Sequence, residues 1–87
     1  MRTAEQIMAT RFEKVVKAGM LADPDTAGKV RTSTVNAARA VVLYMEAGEV
    51  SEALSVAEQV VKSLPEESGH REIVARTYES MRKAARR

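Results

Sequence analysis

The chain has 87 residues, a net charge of +2 at pH 7 and no cysteine. Its length allows one small domain, and the missing cysteine excludes disulfides, cysteine zinc sites and thiol chemistry. Only 3% of the residues are aromatic, so the composition favours helices over strands. No apolar run approaches the roughly 20 residues of a membrane span. We therefore expect one all-α domain over residues 1–87, located in the cytoplasm.

The first helix is predicted over about residues 3–18. Its apolar residues recur at intervals of three and four and are expected to share one face: Ala4, Ile7, Met8, Phe12, Val15 and Val16. Thr3 and Gln6 have the spacing of a capping box at the start of this helix. Gly19 is predicted to end it, because glycine readily adopts the left-handed conformation found at helix C-termini.

The second helix is predicted over about residues 25–47. Its segment 35–45 is apolar on nearly all sides, which indicates a central helix covered from more than one direction. Gly48 is predicted to end it, and only a tight reversal fits before the third helix, which is predicted over about residues 50–64. Pro65 stops the third helix, because proline lacks the backbone donor and biases the preceding residue away from helix.

The fourth helix is predicted to begin between residues 66 and 69, with Ser68 as its cap, and to continue to the end of the sequence. The charge along the chain is uneven. Residues 46–67 carry six acidic groups and one basic group, a net charge of −5, whereas residues 68–87 carry six basic and two acidic groups, a net charge of +4. This asymmetry would act on any charged partner, including a second copy of the chain.

Tyr44, Gly48, Ala53 and Pro65 have the spacing that an αα-hairpin requires. A bulky residue fills the gap between the helices, a flexible residue permits the reversal, a small residue lets the axes approach, and a stop precedes the next helix. The same stretch resembles a tetratricopeptide repeat, a helix-turn-helix unit of 34 residues. The resemblance covers residues 34–67 and a closing helix.

The match to this repeat is partial. Ala37, Ala40 and Val41 replace the Trp, Leu and Gly expected early in the repeat, and residues 1–33 do not fit its register. The predicted fold is therefore all-α, with three or four helices that include an antiparallel αα-hairpin. It is either tetratricopeptide-like or a small helical bundle.

The predicted function is non-enzymatic binding of another protein, as an adaptor, chaperone or inhibitor. The resemblance implies that the first helix of the hairpin forms a partner-binding groove, lined by Val35, Ala38, Val42, Met45 and Glu46. Because this surface is apolar, it is expected to accept an apolar helix or an extended segment. Val42→Glu should then abolish partner binding and leave the helices intact. No catalytic residue, metal site or cofactor is expected.

The alternative function is a small basic nucleic-acid-binding regulator that acts as a dimer through its C-terminal helix. Its candidate phosphate contacts are Arg71, Arg76, Arg82, Lys83, Arg86 and Arg87. A third interpretation is a homodimer in which the acidic segment 46–67 of one copy meets the basic segment 68–87 of the other.

His70 is the only histidine, and Glu66, Glu67 and Glu72 lie close to it in the sequence. A metal site would need several strong ligands, and a catalytic histidine would need an oriented partner. We therefore expect His70 to lie in a solvated first turn of the fourth helix.

Overall fold

The computed structural model describes residues 2–22 and 32–86, and within these ranges it contains four α-helices and no strand. The helices are α1 (Ala4–Ala22), α2 (Thr32–Glu46), α3 (Val50–Ser63) and α4 (Gly69–Ala85). The predicted all-α fold class is confirmed.

Helix α1 begins as predicted but ends later. Thr3 N donates to Gln6 Oε1 at 3.0 Å, and Gln6 N donates to Thr3 Oγ1 at 3.2 Å, which completes the capping box. The helix continues through Gly19 to Ala22, so the predicted end at Gly19 is wrong. The predicted start of the second helix near residue 25 lies outside the described residues.

The reversal between α2 and α3 is a glycine-ended turn, as predicted. Gly48 has a φ of 79°, a left-handed conformation in which a side chain would be strained. Gly48 N donates to Met45 O at 3.1 Å, and Glu49 N donates to Tyr44 O at 2.8 Å. This pair of bonds is a Schellman motif, which satisfies the last carbonyls of α2 and turns the chain into α3.

The connection from α3 to α4 also follows local sequence chemistry. Leu64 is extended, with φ −84° and ψ 150°, because the proline that follows disfavours a helical conformation. Ser68 caps α4, since its side chain accepts a hydrogen bond from Arg71 N at 3.0 Å. The predicted stop of the third helix at Pro65 and the predicted cap of the fourth helix at Ser68 are both confirmed.

The four helices pack as a closed ring. Each helix contacts the next in sequence, and α4 packs back against α1. Gln6 Nε2 at the start of α1 donates to Met45 O at the end of α2, at 3.5 Å, which makes these helices antiparallel. His70 at the start of α4 contacts Val15 O in the second half of α1. The arrangement is an up-down-up-down helix bundle.

Every helix contributes one face to the core. The buried apolar side chains are Ala9, Phe12 and Val16 of α1, Ala38, Val41, Val42 and Met45 of α2, Ala53, Ala57 and Val60 of α3, Leu64, and Val74 and Met81 of α4. The predicted central position of α2 is wrong, because Leu43 is 52% and Tyr44 37% exposed. Helix α2 is one wall of the ring, with a single buried face.

The sequence alone predicts that Val42→Glu abolishes partner binding and leaves the helices intact. Because Val42 lies in the core, we expect instead that the substitution unfolds the protein. The Val42 side chain is only 3% exposed, and an unpaired buried carboxylate costs several kcal/mol, comparable to the whole stability of a small domain. We expect the variant to lose its cooperative thermal transition in circular dichroism. Leu43→Glu, at the exposed neighbouring position, should stay folded. Equal melting temperatures for both variants would contradict the described core.

Candidate functional site

The structure places most of the predicted groove residues inside the bundle. Ala38, Val42 and Met45 are buried, Val35 is half-buried, and Glu46 is exposed with its carboxylate 3.9 Å from Arg2. In this arrangement the three buried side chains face the other helices and do not line an open groove. A partner could reach them only if the helices separated, so their partner contact stays a prediction that burial disfavours.

The predicted phosphate contacts of α4 divide into engaged and unengaged groups. Arg71 donates to Leu64 O at 3.2 Å, Arg76 pairs with Glu72 at 2.6 Å, and Arg82 pairs with Glu79 at 3.0 Å. Lys83 and Arg86 are exposed and have no carboxylate partner among the described residues. Arg87 lies outside the described residues. Ion pairs within one helix stabilise it by only a few tenths of a kcal/mol each. A ligand that binds Arg76 and Arg82 more strongly would therefore break the pairs.

The ring closure gathers the positive charge of both chain ends onto one side. Residues 2–22 and 69–86 together carry nine basic and four acidic groups, a net charge of +5, whereas residues 32–68 carry two basic and six acidic groups, a net charge of −4. Because α1 packs against α4, the two basic segments lie side by side. The sequence shows both segments but not their contact.

In the part of the chain that the structure describes, the ion pairs within the protein leave cations unpaired on only one side of the bundle. Among the described residues, the cations that have no carboxylate within 4.0 Å all belong to α1, to α4 or to the residue that ends α4: Arg11, Lys14, Arg71, Lys83 and Arg86. The cations of the other two helices each lie near a carboxylate. Arg39 is 3.5 Å from Glu13, which Lys17 also approaches at 3.5 Å, and Lys62 is 2.8 Å from Glu58. Within residues 2–22 and 32–86, the unpaired cations are therefore confined to α1, to α4 and to Arg86.

A shallow groove lies on the solvent side of α1. It has a volume of about 360 Å³ and is lined by Arg2, Ile7, Thr10, Arg11 and Lys14. Arg2 is held there by Thr10 Oγ1 and by the Glu46 carboxylate. Ile7 is 54% exposed, so its assignment to the buried stripe of the first helix is wrong. The sequence does contain a signal for this exposure. Ile7 precedes Arg11 by four residues and Lys14 by seven, a spacing that places all three side chains on the same face of the helix.

A second groove lies between α3 and α4, with a volume of about 340 Å³. Its polar groups satisfy one another, because Tyr78 donates its hydroxyl to Glu58 at 3.3 Å and Glu58 pairs with Lys62. The hydrogen bond and charge of Lys62 lower the pKa of Glu58, and Glu58 in turn raises the pKa of Lys62. Burial, followed by the Glu58 charge, raises the pKa of Tyr78. This cluster ties α3 to α4.

A third groove, of about 210 Å³, lies between α2 and α3 and carries no charged side chain. Its lining residues are Ser33, Thr34, Ala37, Val56, Gln59, Val60 and Ser63. Small hydroxyl-bearing side chains of this kind commonly satisfy themselves against helix carbonyls, as Ser63 does by donating to Val60 O at 2.7 Å.

His70 is a packing residue and not a solvated one, which corrects the sequence-based expectation. Its Nε2 lies 2.9 Å from Val15 O, and its Nδ1 is buried without a hydrogen-bond partner. The ring covers Gly19, where an added Cβ would lie 2.0 Å from the His70 Cε1. Gly19 is therefore a site of close helix approach inside α1, where the missing side chain makes room for the His70 ring.

The described residues contain no group of three or more His, Asp or Glu side chains placed to hold a metal ion. None of the described helices has the length and apolar character that a membrane crossing requires. Comparison with protein families, with curated proteins and with solved structures finds no match. The tetratricopeptide resemblance therefore stays a prediction, and the class that the structure defines is a small four-helix protein.

The contact between Gly19 and His70 predicts an unusual cost for a glycine-to-alanine change in a helix. Gly19→Ala should lower the free energy of unfolding by about 1–3 kcal/mol, because the new methyl group displaces the His70 ring. Gly69→Ala is the control: a Cβ there meets nothing within 4 Å, so the variant should be neutral or slightly more stable. Adding His70→Ala should remove the penalty at Gly19. Urea denaturation of all variants measures this, and additive effects would contradict the contact.

The environment of Tyr78 predicts its titration. In a Tyr44→Phe background, which leaves Tyr78 as the only tyrosine, ultraviolet absorbance should give a pKa above the ordinary value of 10.0. Glu58→Gln should lower this pKa, whereas Glu52→Gln, which removes a carboxylate that does not contact Tyr78, should not. The folded state holds this proton more tightly than the unfolded state. The stability from Tyr78 is therefore present below pH about 10 and is lost as the pH rises through the folded-state pKa.

Proposed function

We propose that this protein is a non-enzymatic protein-binding module, acting as an adaptor, chaperone or inhibitor. The observation that carries the proposal is the exposed Ile7, which shares a groove with the unpaired cations Arg11 and Lys14. An apolar centre with a polar rim is the usual anatomy of a protein interface. The groove supplies an apolar contact and charged hydrogen-bond donors, which suit binding.

The proposal moves the binding surface away from the hairpin groove inferred from the sequence. The tetratricopeptide-like interpretation of residues 34–67 remains part of the proposal, and the antiparallel α2–α3 hairpin with its turn at Gly48 is compatible with it. Only Val35 and Glu46 of the predicted groove residues are accessible, however. We therefore place the partner on the solvent side of α1. A cytoplasmic location also remains a proposal, consistent with a chain that lacks cysteine.

Nucleic-acid binding is the second candidate, and the observation that favours it is the net charge of +5 on residues 2–22 and 69–86, the segments that contain α1 and α4. A phosphate backbone could follow the unpaired cations across both helices, including Lys83 and Arg86. Such binding would weaken steeply with salt, with a log–log slope of about −0.9 for each phosphate neutralised. A contact centred on Ile7 would respond much less.

Affinity capture from native lysate, with and without nuclease, tests the proposal. We expect one stoichiometric protein that survives nuclease treatment and is lost at least tenfold with the double variant Arg11→Glu and Lys14→Glu. The double variant Lys83→Glu and Arg86→Glu changes the net charge equally and should retain that protein.

Two results would contradict protein binding at α1. Recovery that disappears with nuclease and falls equally for both double variants would assign the basic side to nucleic acid. Recovery of no protein at all would remove the proposed function.

A further inference from the structure

The solvent side of α1 has the periodicity of a helix-pairing surface. Five exposed residues follow one another at alternating intervals of three and four: Ala4, Ile7, Arg11, Lys14 and Ala18. This spacing keeps residues on one line along a helix that packs lengthwise against another helix. The core residues Ala9, Phe12 and Val16 occupy the opposite face, so this line is available without any loss of core packing.

The charges on and next to this line are arranged asymmetrically around Ile7. On its N-terminal side Arg2 is engaged by Thr10 and Glu46. On its C-terminal side Arg11 and Lys14 have no carboxylate partner among the described residues. The free positive charge therefore occupies one helical turn, about 4.5 Å along the axis, directly after the exposed isoleucine.

We infer that this line, called the α1 stripe, binds an acidic amphipathic helix of a partner protein, and this inference rests on the proposed function. The partner helix would place an apolar side chain on Ile7 and two carboxylates, three or four residues apart, on Arg11 and Lys14. The small side chains Ala4 and Ala18 at the two ends allow close approach of the helix axes. The charge complementarity selects an acidic partner.

The apolar members of the α1 stripe favour a helix over nucleic acid. Phosphates could pair with Arg11 and Lys14 but would leave the neighbouring Ile7 exposed. A helix with apolar residues at the same spacing covers Ile7 and pairs both cations at once. The α1 stripe therefore matches the chemistry of an amphipathic acidic helix at more of its positions than that of a phosphate backbone.

The test is an NMR titration of the ¹⁵N-labelled full chain with three defined probes. The first is a synthetic helical peptide that carries Leu and Glu at alternating three- and four-residue intervals. The second is the same peptide with Gln in place of Glu, and the third is a short DNA duplex. The first peptide should shift the amides of the α1 stripe, and the Gln peptide should bind at least tenfold more weakly.

Ile7→Ser should weaken binding of the acidic peptide at least tenfold. Ile73→Ser is the matched control, because Ile73 is 52% exposed on α4 and its loss should leave the affinity unchanged. Arg11→Gln with Lys14→Gln should weaken binding as much as Ile7→Ser does. All these positions are exposed, so circular dichroism should show folded proteins throughout.

Four results would overturn the inference: absence of binding, shifts spread over all helices, equal effects of the two serine variants, or tighter binding of the duplex. A homodimer in light scattering that Ile7→Ser dissociates would instead assign the α1 stripe to a second copy. If affinity capture recovers a protein whose binding survives Ile7→Ser but is lost with Arg11→Glu and Lys14→Glu, this inference fails while the proposed protein binding at α1 stands.

Discussion

The packing of α4 against α1 is the contact on which the rest of the bundle depends. His70 lies over Gly19 and reaches the Val15 carbonyl, which is possible only because position 19 has no side chain. This contact closes the ring, buries Phe12, Val16, Val74 and Met81 within it, and brings the two basic segments of the chain together. The fold and the charge pattern thus share one structural cause.

Local features were predictable from the sequence because they depend on neighbouring residues. The capping box at Thr3, the turn at Gly48 and the cap at Ser68 each use a short-range hydrogen bond whose residue types are diagnostic. The role of Gly19 was not predictable, since glycine is equally suited to end a helix and to admit a neighbouring helix. Only its partner His70, 51 positions away along the chain, distinguishes the two roles.

The candidate site was predicted less well than the fold. Apolar periodicity identifies α2 as a helix that packs but does not say which apolar residues face inward, so Val42 and Leu43 could not be separated before the ring was known. On α1 the same periodicity included Ile7, which lies outside the core. The basic ends were visible in the sequence, whereas their meeting depends on contacts between α1 and α4 that no local pattern encodes.

The ring closure also bears on how the chain folds. The α2–α3 hairpin needs only a short turn, whereas the contact between Val15 and His70 joins residues 55 positions apart and costs more chain-closure entropy. Such a topology favours early formation of the α2–α3 hairpin and late docking of the two terminal helices, α1 and α4. The basic side of the molecule would then assemble in the final stage of folding.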